Sequence, residues 1–152
     1  MASYYLDTSA LVKRYHMETG SPRVEAIFAA EGADHAISGL SVVEFHSSFA
    51  KKVRMGQLTA VQFRDLAKGL RRDVASKRLR VVRLKVSHYE TAIELIQRIG
   101  LARNLRTLDA LQLAVALSLS EPRRPVEFVC ADQALCGIAS AEGLAVVNPE
   151  LG

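Results

Sequence analysis

Asp7, Glu44, Asp109 and Asp132 each stand at or near the start of a predicted helix, and carboxylates gathered in one place bind hard divalent cations. Several such groups at one edge repel one another, raise each other's pKa and destabilise the empty fold, a cost that a divalent ion relieves. Oxygen-only ligation, with no paired Cys or His, favours Mg²⁺ or Mn²⁺ over zinc. An ion held this way activates water and aligns a phosphate for displacement. Taken singly, each acid has a plainer reading. Asp7, before "TSALVKRY", and Asp132, before "QALCGIA", are good helix N-caps. Ser41-Val42-Val43-Glu44 reads as a capping box, and so does Ser87-His88-Tyr89-Glu90. Asp109, two residues after a candidate cap at Thr107, suits the positive end of a helix dipole. Position alone does not separate Glu44 from Glu90.

The elements that must position these acids alternate along the chain. Residues 3–6 read as a strand, followed by helices near 9–15 and 21–31. His35–Ser38 reads as a second strand, and helices over 42–55 and 59–78 carry apolar residues at helical spacing (Val42, Phe45, Phe49, Val53; then Phe63, Leu66, Leu70, Val74). Leu79–Leu84 reads as a strand, Ser87–Gly100 as a helix with Gly100 at its C-cap, and Thr107 opens a helix striped by Leu108, Leu111, Val115 and Leu119. A strand at 126–130, a helix at 133–142 and a strand at 145–147 complete the pattern. Strands alternating with helices predict an α/β fold, a parallel sheet covered on both faces, with all strand C-ends on one edge. Ligands bind at that edge in such folds. Asp7 and Asp132 end strands and must lie there; no strand precedes Asp109.

At 152 residues, 49% hydrophobic and 24% charged, the composition is that of one globular domain, 1–152, rather than a disordered or fibrous chain. No apolar run reaches the length of a membrane span and no signal-peptide layout opens the chain, so a cytoplasmic protein with no membrane association is expected. Cys130 and Cys136 have neither redox nor zinc-site spacing and read as reduced, partly buried thiols, and the four histidines form no ligand pair. Charge is unevenly spread. Residues 51–85 hold twelve of the twenty Lys and Arg against two acids, a local net charge of +10, while the remainder is acidic and the whole carries +4. A basic arm beside an acidic remainder suggests a polyanion partner next to a cation site. Lys51, Lys52, Arg54, Lys68, Arg71 and Arg72 are candidate contacts to nucleic-acid phosphates; the plain alternative is a solvated face.

Four segments resemble, in order, those of the PIN-domain ribonucleases, particularly the VapC-type toxins of bacterial toxin–antitoxin pairs. "YYLDTSALVKRY" resembles the opening hydrophobic-D-T/S-S segment, "SVVEFHSSF" the internal Glu segment, and "LRTLDALQLAVAL" the third-acid helix. "EFVCADQALCGIASAEGLAVVNP" resembles the closing Asp strand–helix–strand. The resemblance implies that Asp7, Glu44, Asp109 and Asp132 are the catalytic, metal-binding acids of a Mg²⁺- or Mn²⁺-dependent endoribonuclease, with Ser9 and Thr8 supporting the site. It also implies a central parallel five-stranded sheet, a homodimer and an antitoxin partner encoded nearby. Cys130 departs from the Thr or Ser that relatives commonly carry before the final "AD", which weakens any hydroxyl bond expected from that position. An antitoxin groove lined by some of Leu11, Val12, Tyr15, Ile27, Phe28, Phe45 and Phe49 competes with placing all of them in the core.

Two other functions compete. A haloacid-dehalogenase-like phosphatase also begins with an Asp after a strand, but it wants D-x-D, and Ser9 replaces the second acid. A non-catalytic basic RNA-binding module would use the acids only as caps; against it, aromatics are 6% of the chain and no stacking motif appears. Metal-dependent hydrolysis separates these readings.

Overall fold

The computed structural model describes residues 1–151. Its strands are β1 (Ser3–Leu6), β2 (Asp34–Ser38), β3 (Arg80–Val82), β4 (Glu127–Val129) and β5 (Ala145–Val147). The helices are α1 (Thr8–Tyr15), α2 (Ser21–Ala29), α3 (Gly39–Arg54), α4 (Ala60–Ala75), α5 (Val86–Ile99), α6 (Thr107–Leu119) and α7 (Gln133–Ala141). All four strand pairings are parallel, in the order β3-β2-β1-β4-β5. None of the helices among the described residues is long and apolar enough to cross a membrane.

The pleat divides each central strand between two cores. Tyr5, Ala36 and Phe128 point to one side, where residues of α5, α6 and α7 such as Leu95, Leu113, Leu135 and Ile138 cover them. Their neighbours Leu6, Ile37 and Val129 point to the other, against α1 to α4 through Leu11, Val24, Phe28, Phe45, Phe49 and Leu70. The change of face follows from topology. Strands are added in one direction from β1 to β3, then in the opposite direction from β4 to β5, and crossovers of one hand must then cover the opposite face. The reversal leaves β1 and β4 adjacent, each leading away from the other at its C-end. A crevice opens at such a switch point.

Several local expectations need correction. Helix α3 begins at Gly39, and its cap is Ser38, whose hydroxyl accepts from the Ser41 N–H at 3.2 Å. Ser41 is therefore inside the helix and fully buried, and Glu44 lies in the second turn rather than in a capping box. At α5 the cap position is Lys85, whose N–H donates to His88 Nδ1 at 2.9 Å, so Ser87 and Glu90 form no box either. A capping box does form where none was anticipated, between Thr59 and Gln62 at the start of α4. Arg106, not Thr107, is the cap residue of α6. Gly100 caps α5 with right-handed backbone; its requirement is close approach, since a Cβ there would lie 2.6 Å from the Ile96 carbonyl oxygen. The groove of apolar residues is not formed: Leu11, Val12, Ile27, Phe28, Phe45 and Phe49 are buried core, and Tyr15 is half-buried against Phe45.

Helix α1 carries Asp7, Thr8 and Ser9 at its N-terminal end, and charged side chains further along pin it. Lys13, buried, reaches Glu18 at 3.0 Å and Glu150 at 2.7 Å. Arg14 Nε meets Asp73 Oδ2 of α4 at 2.9 Å, and the Tyr15 hydroxyl donates to the same oxygen at 2.7 Å. The Arg14 guanidinium also lies over the Phe28 ring, 4.1 Å from its centroid. Burial alone would raise the Asp73 pKa, but the bonds from Arg14 and Tyr15 outweigh it and hold the carboxyl below its ordinary range. The stabilisation is therefore complete above the unfolded carboxyl pKa and is lost as pH falls through the lowered folded value. Asp73→Ala leaves Arg14 without its main partner, and removing one member of a buried pair costs about 3 kcal/mol. Urea unfolding at pH 7 should show that loss with an unchanged m-value, and the wild-type advantage should shrink towards pH 3; a loss below about 0.5 kcal/mol would put the pair among weak surface contacts.

Candidate active site

All four acids line one cleft of about 230 Å³ at the C-terminal edge of the sheet, together with Thr8, Ser9, Val12, Ser48, Arg106 and Gln112. They arrive from separate elements. Asp7 follows β1 directly, and its N–H continues the β1–β4 ladder to the Val129 carbonyl at 3.1 Å. Asp132 follows β4 and caps α7, accepting from the Leu135 N–H at 3.2 Å. Glu44 reaches the cleft from the second turn of α3. Asp109 comes from the first turn of α6, which enters the edge from a loop rather than a strand. The cap readings and the cleft reading are thus compatible: Asp7 and Asp132 do both.

Asp7 is buried and heavily bonded. Its Oδ1 accepts from the Ser9 hydroxyl at 2.6 Å and from the Ala10 N–H at 3.1 Å. Its Oδ2 accepts from the Cys130 thiol at 3.1 Å. Ser9 also accepts from the Ala131 N–H at 3.0 Å, so one hydroxyl ties α1 to the segment after β4. The position expected to suffer from having Cys130 instead of Thr or Ser thus keeps its bond, through the weaker S–H donor. Contact with the Cys136 thiol, burial and the Asp7 charge all push the Cys130 thiol up, so it stays protonated and able to donate. Both cysteines are free, Cys130 buried and Cys136 half-buried, as their spacing indicates. Ser9 supplies no second acid, which removes the D-x-D arrangement of a phosphatase.

Burial raises the Asp7 pKa to about 6; the bonds from Ser9, Cys130 and Ala10 offset only part of that rise, and the charge of Asp109 adds to it. Asp109 pairs with Arg106, Nε to Oδ2 at 3.2 Å, and Arg106 is the only basic side chain lining the cleft among the described residues. Glu44 Oε1 accepts from the Thr8 hydroxyl at 2.8 Å and from Gln112 Nε2 at 3.0 Å. Among the described residues no three acids, histidines or cysteines converge into a ready-made metal shell. The donor set nevertheless fits Mg²⁺ or Mn²⁺: carboxylate oxygens only, an acid destabilised by burial and like charge, and a cleft open to water. Mg²⁺ keeps several waters and needs only one or two carboxylates besides substrate phosphate.

The basic candidates lie elsewhere. Lys51, Arg54, Lys68, Arg71 and Arg72 are exposed on α3 and α4, and none lines the cleft. Lys52 is half-buried, 3.9 Å from Glu18. Lys68, Arg71 and Arg72 recur at i, i+3 and i+4 and so share a face of α4. Arg106, Ser48 and Gln112 were not singled out in the sequence. Arg106 and Gln112 each stand three residues from Asp109, and Ser48 four from Glu44, so helical spacing from the acids is the signal that finds them.

A carboxyl whose folded pKa is raised lowers stability as pH rises from its unfolded value of 3.8 to about 6. The shift corresponds to about 3 kcal/mol lost by the metal-free protein above pH 6. Asp7→Asn keeps an oxygen for Ser9 and Ala10 and removes this cost. Metal-free Asp7→Asn should resist urea better than wild type at pH 7.5, by about 1–2 kcal/mol after loss of the thiol bond, and the gain should vanish near pH 4. A gain equal at both pH values, or none at pH 7.5, would contradict the burial account.

Comparison with known proteins places this geometry in a family. The PIN domain family model matches residues 4–132. No curated protein matches the sequence. Among solved structures, FitAcB from Neisseria gonorrhoeae superposes with a TM-score of 0.67 at 18% identity, covering 98% of this chain and 99% of that one. Mycobacterium tuberculosis VapC20, described as a sarcin-ricin loop cleaving toxin, gives 0.67 at 17% identity over 95% and 97%. VapBC2 from Rickettsia felis, bound to a DNA fragment from its promoter, gives 0.65 at 16% over 95% and 97%. At these identities the structural likeness establishes the fold, and the family match carries the assignment: the chain belongs to the PIN domain family.

Proposed function

We propose that this protein is a metal-dependent endoribonuclease and the toxin of a toxin–antitoxin pair. The observation that carries the reading is the convergence of Asp7, Glu44, Asp109 and Asp132, from four separate segments, on one cleft at the switch point of the sheet. These four acids would hold Mg²⁺ or Mn²⁺, which supplies Lewis-acid polarisation of a phosphoryl oxygen and of water. A carboxylate of the cleft accepts the proton of the attacking water. Water attacks phosphorus, the P–O3′ bond breaks, and the products carry 5′-phosphate and 3′-hydroxyl ends. Ser9 and Cys130 hold Asp7 in place, and Thr8 holds Glu44. Arg106, at the mouth, meets the incoming phosphate and exchanges its pairing with Asp109 for it. The toxin and antitoxin parts of the reading draw on the VapC and VapBC proteins among its structural relatives, as does an antitoxin partner encoded nearby. A homodimer working in the cytoplasm is part of the same proposal.

The direct test is cleavage of end-labelled RNA by the purified protein. Mg²⁺ or Mn²⁺ should support cutting, excess EDTA should abolish it, and re-added metal should restore it. Glu44→Gln and Asp132→Asn should each lower the rate by at least about 100-fold, as loss of groups that act together does. Full activity in EDTA would contradict the proposal.

The basic face of α4 makes a separate prediction. Lys68, Arg71 and Arg72 follow the RNA backbone, and each phosphate contact to single-stranded RNA contributes about −0.7 to the log–log salt slope. In a catalytically dead background, Arg71→Ala with Arg72→Ala should shallow the slope of RNA affinity against salt by about 1 to 1.5. The cut site should not move, because phosphate contacts position the chain without reading sequence. An unchanged slope returns both arginines to a solvated face.

A further inference from the structure

We propose that Gln112 is a positioning residue that presents Glu44 to the cleft with one carboxylate oxygen tied and the other free; this rests on the metal-site reading above. Gln112 is buried on α6, three residues after Asp109. Its Oε1 accepts from the hydroxyl of Tyr5, which is fully buried, and from the Ser38 hydroxyl at 3.4 Å. Its Nε2 donates towards Ser41 Oγ at 2.7 Å, Glu44 Oε1 at 3.0 Å and Thr8 Oγ1 at 3.1 Å.

An amide turned the other way would set its oxygen against the Glu44 carboxylate, an acceptor-only group. The carboxylate therefore fixes the orientation, and the Tyr5 and Ser38 hydroxyls hold it by donating to the amide oxygen. In that orientation Glu44 Oε1 receives two bonds, from Gln112 and Thr8, while Oε2 accepts from none of the described residues and remains for the cleft. A glutamate in the second turn of a helix has three rotatable bonds, and without this clamp its carboxylate samples several positions. The network reaches Glu44 from β1, β2, α1 and α6 at once, so the acid contributed by α3 is registered against the elements that carry Asp7 and Asp109. Polar groups that orient metal ligands affect affinity or activity by about 10–100-fold when removed.

The experiment compares Gln112→Met, Tyr5→Phe, Glu44→Gln and the Gln112→Met/Glu44→Gln double variant. Urea unfolding of the metal-free proteins establishes folding, Mn²⁺ affinity is read from the electron paramagnetic resonance signal of free Mn²⁺, and kcat and KM are measured on RNA. Gln112→Met should weaken Mn²⁺ binding and lower kcat by about 10–100-fold with KM for RNA unchanged. Tyr5→Phe keeps the ring and removes only the donor that orients the amide, so it should give a smaller loss in the same two quantities, about 3-fold, as expected for one weak neutral hydrogen bond. The double variant should bind Mn²⁺ no more weakly than Glu44→Gln alone, because Gln112 acts through Glu44. A folded Gln112→Met with wild-type affinity and kcat, or losses that multiply in the double variant, would overturn the inference. Should Gln112→Met not fold, Tyr5→Phe at wild-type Mn²⁺ affinity overturns it. Glu44→Gln with full affinity and activity overturns the metal-site reading and this inference with it, whereas an impaired Glu44→Gln beside unimpaired Gln112 and Tyr5 variants overturns this inference alone.

Discussion

A buried carboxylate at the end of the central strand is the constraint around which the rest of this structure is arranged. Asp7 is removed from water, faces the charge of Asp109, and is pushed to a pKa of about 6 in spite of three hydrogen bonds. Such a group opposes folding unless something outside the chain compensates it. The surrounding chain limits the cost without cancelling it. Ser9 and the Ala10 N–H satisfy one oxygen, and Cys130, held protonated, satisfies the other. Arg106 partly neutralises Asp109 from an exposed position, where the pairing is cheap to give up. The negative charge left at this edge is what the proposed cation would offset.

The sheet determines where that constraint can be met. With the order β3-β2-β1-β4-β5, only β1 and β4 diverge at their C-ends, and both deliver an acid to the gap between them. The two cores, on opposite faces, fix the register of β1 against β2 and β4 through the alternation of Tyr5 with Leu6, Ala36 with Ile37, and Phe128 with Val129. Slipping β1 by one residue would exchange those faces and move Asp7 out of the cleft. Stability and chemistry thus depend on the same alternation. The pinning of α1 by Lys13 and Arg14 extends this control to Thr8 and Ser9.

Much of this was legible in the sequence, and the failures have physical causes. Every strand and helix was anticipated, because the apolar residues of a doubly covered sheet and of its helices repeat strongly at their own periods. The helix starts were less legible. Ser41-x-x-Glu44 and Ser87-x-x-Glu90 matched a capping box locally, but Ser38, and Lys85 with His88, stood earlier and closed the first turn instead. The convergence of the four acids was inferred from the order of resembling segments; geometry explains Asp7 and Asp132 from strand ends, whereas Asp109 depends on how α6 packs, which no local pattern states. Spacing from Asp109 marks the place of Gln112 on α6, but not its role, because its partners, Tyr5, Thr8, Ser38, Ser41 and Glu44, lie 68 to 107 residues away. The apolar residues of α1 to α3 exceeded what a thin core seemed to need, yet the face formed by α1 to α4 is thick enough to absorb them.

The acids at this edge are proposed to form one hydrolytic site acting on RNA, with Asp7 among them. The most direct measurement is transcriptome-wide mapping of RNA 5′ ends in cells expressing the wild-type protein beside cells expressing Asp7→Asn at equal level. New 5′-monophosphate ends should appear at discrete positions with wild type and none with Asp7→Asn. Identical end profiles in the two, or new ends that persist in Asp7→Asn, would contradict it.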